Sequence, residues 1–166
     1  NGSGSLWLKR EPTVEEVKAE FDKFPPDTYQ DLVFCGYGEP TERLEDLLEV
    51  AAFAKEKFGK KIRVNTNGLA NLMYGKDVTP MFEGKVDAIS ISLNTPDPEQ
   101  YLELTRNKFG IGSFDAMLKF AGDVKRYVPS VTMTTVATTI TEEEEDRCRK
   151  ICEDLGVSYR IRSFES

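Results

Sequence analysis

The feature that most constrains this chain is alternation. Five short apolar, β-branched runs, at residues 32–35, 62–65, 86–93, 131–136 and 158–162, are separated by stretches with helical spacing. Residues 44–58 carry Leu44, Leu47, Leu48, Ala51 and Ala54 on one helical face and stop at Gly59. Residues 13–24, 98–106, 114–127 and 141–155 read as further helices, and 78–82 as a short one. Thr13 with Glu16, and Thr141 with Glu144, have the spacing of capping boxes. Strands alternating with helices predict successive right-handed βαβ units, and so an α/β fold with a parallel sheet. In this reading the chain opens on a helix, which hints at an earlier strand. Only residues 1–5 read as a flexible end, and no repeat or linker divides the rest. The expectation is a single domain over residues 1–166, long enough to bury a core.

Periodicity within the runs assigns their faces. Ile89, Ile91 and Leu93 share one side, while Ala88, Ser90, Ser92 and Asn94 share the other. The same split sets Ile62 and Val64 against Arg63 and Asn65, and Val131 and Met133 against Thr132 and Thr134. Tyr159 and Ile161 likewise oppose Arg160 and Arg162. The apolar set packs under helices; the polar set lines the inside of a curved sheet. A closed eight-stranded barrel fills its centre with branched apolar side chains. This polar set therefore predicts an open interior that holds a ligand.

The first run passes into Gly36-Tyr37-Gly38-Glu39-Pro40-Thr41, at the carboxyl end of a strand, where α/β proteins bind ligands. Two glycines let backbone approach a ligand, Glu39 adds a charge, and Pro40 fixes the exit toward a helix. A plain strand–helix turn is the alternative. Asn67-Gly68 is as much a turn signal as a site. Ser90, Ser92 and Asn94 also fit hydroxyls and amides bonded to neighbouring strands.

Composition narrows the chemistry. A net charge of -7 argues against a nucleic-acid surface. No apolar run approaches the ~18 residues of a transmembrane helix. The three cysteines carry no secretory context and favour a reducing, cytoplasmic location. The chain has no histidine, which excludes serine-type triads, histidine-ligated zinc and histidine acid–base catalysis. Cys148 and Cys152 fall at i and i+4 among Arg147, Arg149 and Lys150, and read as core residues rather than metal ligands. Cys35 reads as a small core residue too. The acidic run 142–145 suits the positive end of its own helix.

Taken in order, Gly36-Tyr37-Gly38-Glu39-Pro40, Asn65-Thr66-Asn67-Gly68 and Ser90-Ile91-Ser92-Leu93-Asn94 resemble the strand-tip motifs of the radical S-adenosylmethionine (radical SAM) enzymes. Gly110-Ile111-Gly112-Ser113-Phe114, followed by Met117-Leu118, is similar to the helix start after that superfamily's fourth strand. Within the superfamily, Leu6-Trp7-Leu8 and the stretches at 34–41 and 65–72 most resemble the proteins encoded beside TatD-type nucleases. The resemblance implies a partial (β/α)6, TIM-like barrel, with this chain as the C-terminal part of the core. The family's Cys-x3-Cys-x2-Cys segment, which supplies three thiolates to a [4Fe-4S] cluster, is absent from this sequence. The resemblance implies that this loop and the first strand are missing, with the cluster cysteines upstream of Asn1. Tyr37 also departs from the usual Gly-Gly-Glu.

The resemblance implies roles as well. The backbone of Gly36, Tyr37 and Gly38 would hold the amino group of S-adenosylmethionine, with Glu39 as anchor and Pro40 beside it. Asn65, Ser92 and Asn94 would meet its carboxylate or ribose hydroxyls, with Thr66, Asn67 and Ser90 in the same set. Thr134 and Val136 would approach the adenosine. Arg160 or Arg162 would pair a carboxylate, unless they form ion pairs with helix acids. The implied activity of the whole protein is reductive cleavage of S-adenosylmethionine to a 5′-deoxyadenosyl radical that abstracts hydrogen from an unknown small-molecule or peptide substrate. An electron donor such as flavodoxin or ferredoxin goes with it. The chain alone would be inactive and, with an open sheet edge, prone to self-association. Two other readings stay open: an activating enzyme for a glycyl-radical partner, and a non-catalytic (β/α) module binding a nucleotide or phosphate.

Overall fold

The computed structural model describes residues 5–7, 13–21, 31–34 and 39–164. Six strands form one parallel sheet: β1 (Ser5–Trp7), β2 (Asp31–Phe34), β3 (Lys61–Thr66), β4 (Ala88–Ser92), β5 (Ser130–Val136) and β6 (Ser158–Arg162). Their spatial order is their sequence order. A doubly wound sheet reverses its strand order and so carries helices on both faces. Here the order never reverses, and right-handed crossovers then put every connecting helix on the same face. The result is an open, TIM-like sheet with one face covered and the other left for a ligand.

Five strands are those the alternation predicts. The sixth, β1, corrects the expectation that the chain opens on a helix: Ser5–Trp7 precedes it and pairs with β2. Three residues are too few to show a period.

The covering layer comprises α1 (Val14–Phe21), α2 (Leu44–Phe58), α3 (Ala70–Tyr74), α4 (Pro98–Thr105), α5 (Ser113–Val124) and α6 (Glu142–Leu155). Both capping boxes form. Thr13 N donates to Glu16 at 2.8 Å and Glu16 N to Thr13 Oγ1 at 3.1 Å. Thr141 and Glu144 make the same reciprocal pair at 2.9 and 3.1 Å. A 3₁₀ turn (Thr79–Phe82) occupies the place of the short helix expected at 78–82, and α3 is an element the pattern did not show.

One continuous apolar cluster lies between sheet and helices. Leu32, Ile62, Val64, Ile89, Ile91 and Met133 meet Leu47, Leu48 and Ala51 of α2 and Met117 and Phe120 of α5. Cys148 and Cys152 belong to this core, at 0% and 1% exposure, as their spacing predicts. Cys35 lies outside the described residues. At the amino edge of the sheet, Asp87 accepts from Lys55 Nζ at 2.8 Å and from Ile62 N at 2.7 Å, clamping α2 to β3. The ligand-facing positions of such a sheet lie at the opposite, carboxyl edge. No helix of the described residues is long and apolar enough to cross a membrane.

Candidate functional site at the strand tips

Strand register gathers the polar residues onto one face. Asn65 pairs with Ser90, Ser90 with Thr132, and Thr132 with Ser158. One step toward the carboxyl edge, Ser92 pairs with Thr134 and Thr134 with Arg160; Val136 then pairs with Arg162. Partners in a parallel ladder project to the same side, opposite the buried Ile62, Val64, Ile89 and Met133. The expected polar surface is therefore a physical row.

These side chains are not used to hold the strands together. Among the described residues, Asn65, Ser90, Ser92, Asn94, Thr132 and Thr134 find no side-chain hydrogen-bond partner. All but Thr134 are half-buried, and Thr134 is 6% exposed. Their hydroxyl and amide atoms reach solvent with their hydrogen-bonding capacity unspent, so the row is a surface free to meet a ligand.

At the β2 and β3 tips the polar atoms are already committed. Glu39 caps the 3₁₀ turn Pro40–Arg43 that leads into α2. Its Oε2 accepts from Thr41 Oγ1 at 2.6 Å, from Thr41 N at 3.2 Å and from the Thr66 hydroxyl. Its Oε1 accepts from Asn67 N at 2.8 Å, so one carboxylate ties the β2 tip to the β3 tip. A carboxylate oxygen accepts about two donors, which leaves Oε1 capacity for one more. Asn67 Oδ1 accepts from Leu69 N at 2.9 Å. Gly68 has φ 77°, and a Cβ there would lie 2.8 Å from Ile91 Cγ2.

The Asn-Thr-Asn-Gly stretch is thus a turn built to present Asn65 and Glu39. Thr66 lies on the opposite face from Asn65 and reaches the site only through Glu39. Pro40 opens the 3₁₀ turn. Gly36, Tyr37 and Gly38 lie outside the described residues.

The remaining tips are tied by backbone. Leu93 N and Asn94 N both donate to Thr134 O, at 2.9 and 3.2 Å, and Ala137 N donates to Arg162 O at 2.7 Å. β4 ends at Ser92, and Asn94 turns left-handed with φ 71°, so it stands at the tip rather than within the strand as its alternation implied. Asparagine tolerates that conformation, and such residues collect at functional sites. Thr138, in the next tip loop, has φ 69° and is β-branched, a rarer outlier.

Among the described residues, Tyr101 Oη and Arg162 Nε are buried without partners. Tyr101 projects from α4 and is 1% exposed; burial, and after it the Glu39 carboxylate, push its phenol up to about 12. Its spacing reads as core, and nothing in the sequence singles out its hydroxyl. Among the described residues, Arg160 and Arg162 form no ion pair with a helix acid. The reason is geometric. Tyr159, on the other side of β6, carries Arg149 of α6 5.4 Å over its ring, so α6 packs there and its acids cannot reach the arginines.

Among the described residues no three Cys, Asp or Glu side chains are grouped to hold a metal. Burial pushes the thiols of Cys148 and Cys152 up to about 11 and about 12, which suppresses the thiolates a cluster needs. The described residues fit an adenosyl-amino acid ligand and do not fit an iron–sulfur cluster. A groove of about 360 Å³ beside α2, lined by Glu42, Arg43, Tyr74, Lys76 and Met81, lies away from the polar row. Its Tyr74 hydroxyl is occupied, taking Leu44 N and facing the carbonyls of Thr41 and Glu42.

The model of the radical SAM superfamily matches residues 2–152. The chain belongs to that superfamily. Several solved structures share its fold. Streptococcus suis SuiB bound to precursor peptide SuiA superposes with a TM-score of 0.72 at 18% identity, covering 94% of this chain and 34% of that one. SuiB bound to S-adenosylmethionine gives 0.69 at 14% identity, with 95% and 35% covered. Methylornithine synthase (PylB) gives 0.63 at 15% identity, with 93% and 45% covered. At these identities the likeness concerns the fold, and this radical SAM chain spans between a third and a half of those proteins. A search of curated proteins returned no match.

Proposed function

We propose that this chain forms the S-adenosylmethionine-binding part of a radical SAM enzyme core. The observation that carries the reading is the row of unpaired Asn65, Ser90, Ser92, Asn94 and Thr134 at the carboxyl edge of β3 to β5. Hydroxyl and amide groups in such a row suit ribose hydroxyls and an amino-acid head, which both donate and accept. Glu39 Oε1, with its spare lone pair, takes the ammonium. Asn65 holds the carboxylate, Ser92 and Asn94 the ribose hydroxyls, and Thr134 and Val136 border the adenosine. In such enzymes S-adenosylmethionine and a reduced [4Fe-4S] cluster supply one-electron, hydrogen-abstracting chemistry. This chain's part is to bind, orient and shield the cofactor. The cluster ligands, in this reading, come from the family's cysteine segment, which this sequence does not contain. A reducing cytoplasm and a small redox protein as electron donor complete the proposal.

The test is equilibrium binding of S-adenosylmethionine to the full-length, cluster-loaded protein. Asn94→Ala is expected to weaken binding by about tenfold, the loss typical of a hydrogen bond left unmade to a polar partner. Glu39→Gln should weaken it as well. Wild-type affinity in both variants defeats the assignment. Retention of AMP with no S-adenosylmethionine binding points instead to the nucleotide-binding module.

A further inference from the structure

The two arginines of β6 stand apart from the rest of the polar row. They are cationic, they occupy alternate positions on one face, and neither has a counter-ion among the described residues of a chain whose net charge is -7. Arg160 is exposed and Arg162 half-buried. The Arg162 Nε hydrogen is shut away from solvent and finds no acceptor. Leaving a guanidinium N–H in that state is costly, and a bound water or anion would resolve it; with a second unpaired arginine beside it on the same face, the pair favours an anion. Guanidinium recognises planar or tetrahedral oxyanions with two parallel hydrogen bonds.

We infer that Arg162, assisted by Arg160, binds the carboxylate or phosphate of an acidic substrate held on the polar face. This rests on the cofactor reading above, because that reading fixes which molecule owns the anion. In S-adenosylmethionine the ammonium and carboxylate share one carbon. With the ammonium at Glu39, the carboxylate stays within a few ångströms of the β2 and β3 tips. Arg162 is four strands away from β2, roughly 19 Å along the sheet. The cofactor's acid group cannot serve both ends, so the anion facing β6 belongs to a second molecule. Between them lie Ser92, Asn94 and Thr134, where the adenosyl carbon and the substrate would meet.

The experiment uses full-length, cluster-loaded protein at constant ionic strength, with calorimetric titration of inorganic phosphate, of succinate and of S-adenosylmethionine. Wild-type protein should bind at least one of the two anions saturably. Which of them binds tells a phosphorylated substrate from a carboxylic one. Arg162→Gln should weaken that anion by about tenfold or more, with Arg162→Lys in between, while S-adenosylmethionine affinity stays within about twofold. Arg160→Gln, at an exposed position, provides the same comparison should Arg162→Gln fail to fold. The inference is overturned when neither anion binds, when the substitutions leave anion affinity unchanged, or when Arg162→Gln costs S-adenosylmethionine itself about tenfold. A wild-type protein that binds the anion and ignores S-adenosylmethionine defeats the cofactor reading and leaves the arginine pair as an anion site.

Discussion

At the residue scale, Glu39 and Tyr101 illustrate two opposite states of a polar group. Glu39, at the tip of β2, receives donors from the tip of β3 and from its own turn, so it acts as a structural knot as well as a ligand candidate. Thr66→Val deletes one donor to a partly buried carboxylate. It should cost about 1.5–3 kcal/mol in urea unfolding, the range for hydrogen bonds to charged groups. A loss near zero would show that the Thr66 hydroxyl is not holding Glu39. Tyr101 is the reverse case, a buried hydroxyl with no acceptor. Tyr101→Phe should therefore leave stability unchanged or raise it. Tyr159→Phe, which removes a 2.7 Å bond to Thr135, should cost about 1 kcal/mol. The sequence showed Asn65, Ser90 and Ser92 as one face because strand alternation is local. It could not show the knot, since Thr66 lies 27 residues from Glu39 and only the folded sheet joins them.

At the element scale, legibility tracked length and local chemistry. The bounds of α2 and β6 coincide with the expected 44–58 and 158–162, because each carries its own periodic pattern and stop signal. β1 and α3, of three and five residues, contain too little pattern to be read. Backbone handedness was equally hidden: Asn94 and Thr138 look like ordinary tip residues until their φ angles are seen. Thr138 bears the larger penalty, since a β-branched side chain opposes a left-handed backbone by roughly 1–2 kcal/mol. Thr138→Gly relieves that strain and gives back part of it as unfolded-chain entropy. The net expectation is a gain of about 0.5–1 kcal/mol, read as a higher melting temperature. A lower melting temperature would mean that the Thr138 side chain contributes more than the strain it imposes. The α6 cap supplies a contrast in sign: Thr141→Ala should lose about 1 kcal/mol, because a reciprocal capping pair goes with it.

At the scale of the whole molecule, placing every helix on one face concentrates the neutral titratable groups in a single layer. Cys148 and Cys152 of α6, Tyr101 of α4 and Tyr159 of β6 all have their ionisation pushed up, in each case chiefly by burial. In the unfolded chain the thiols ionise near 9.0 and the phenols near 10.0. In the folded protein Cys148 holds its proton to about 11, and the other three hold theirs to about 12. Folded-state values raised in this way mean that the folded form binds more protons throughout the interval, so stability falls as pH rises. Their contribution is fully present below about pH 9 and is lost progressively up to about pH 12. Urea midpoints at pH 8, 10 and 11 should therefore decline steadily, the thiols acting first and the phenols from about pH 10. In Tyr101→Phe the decline above pH 10 should be shallower, because one buried phenol no longer has to ionise. A midpoint that stays level through this range would mean that these groups ionise as easily folded as unfolded, and that the layer beneath the sheet is open to water.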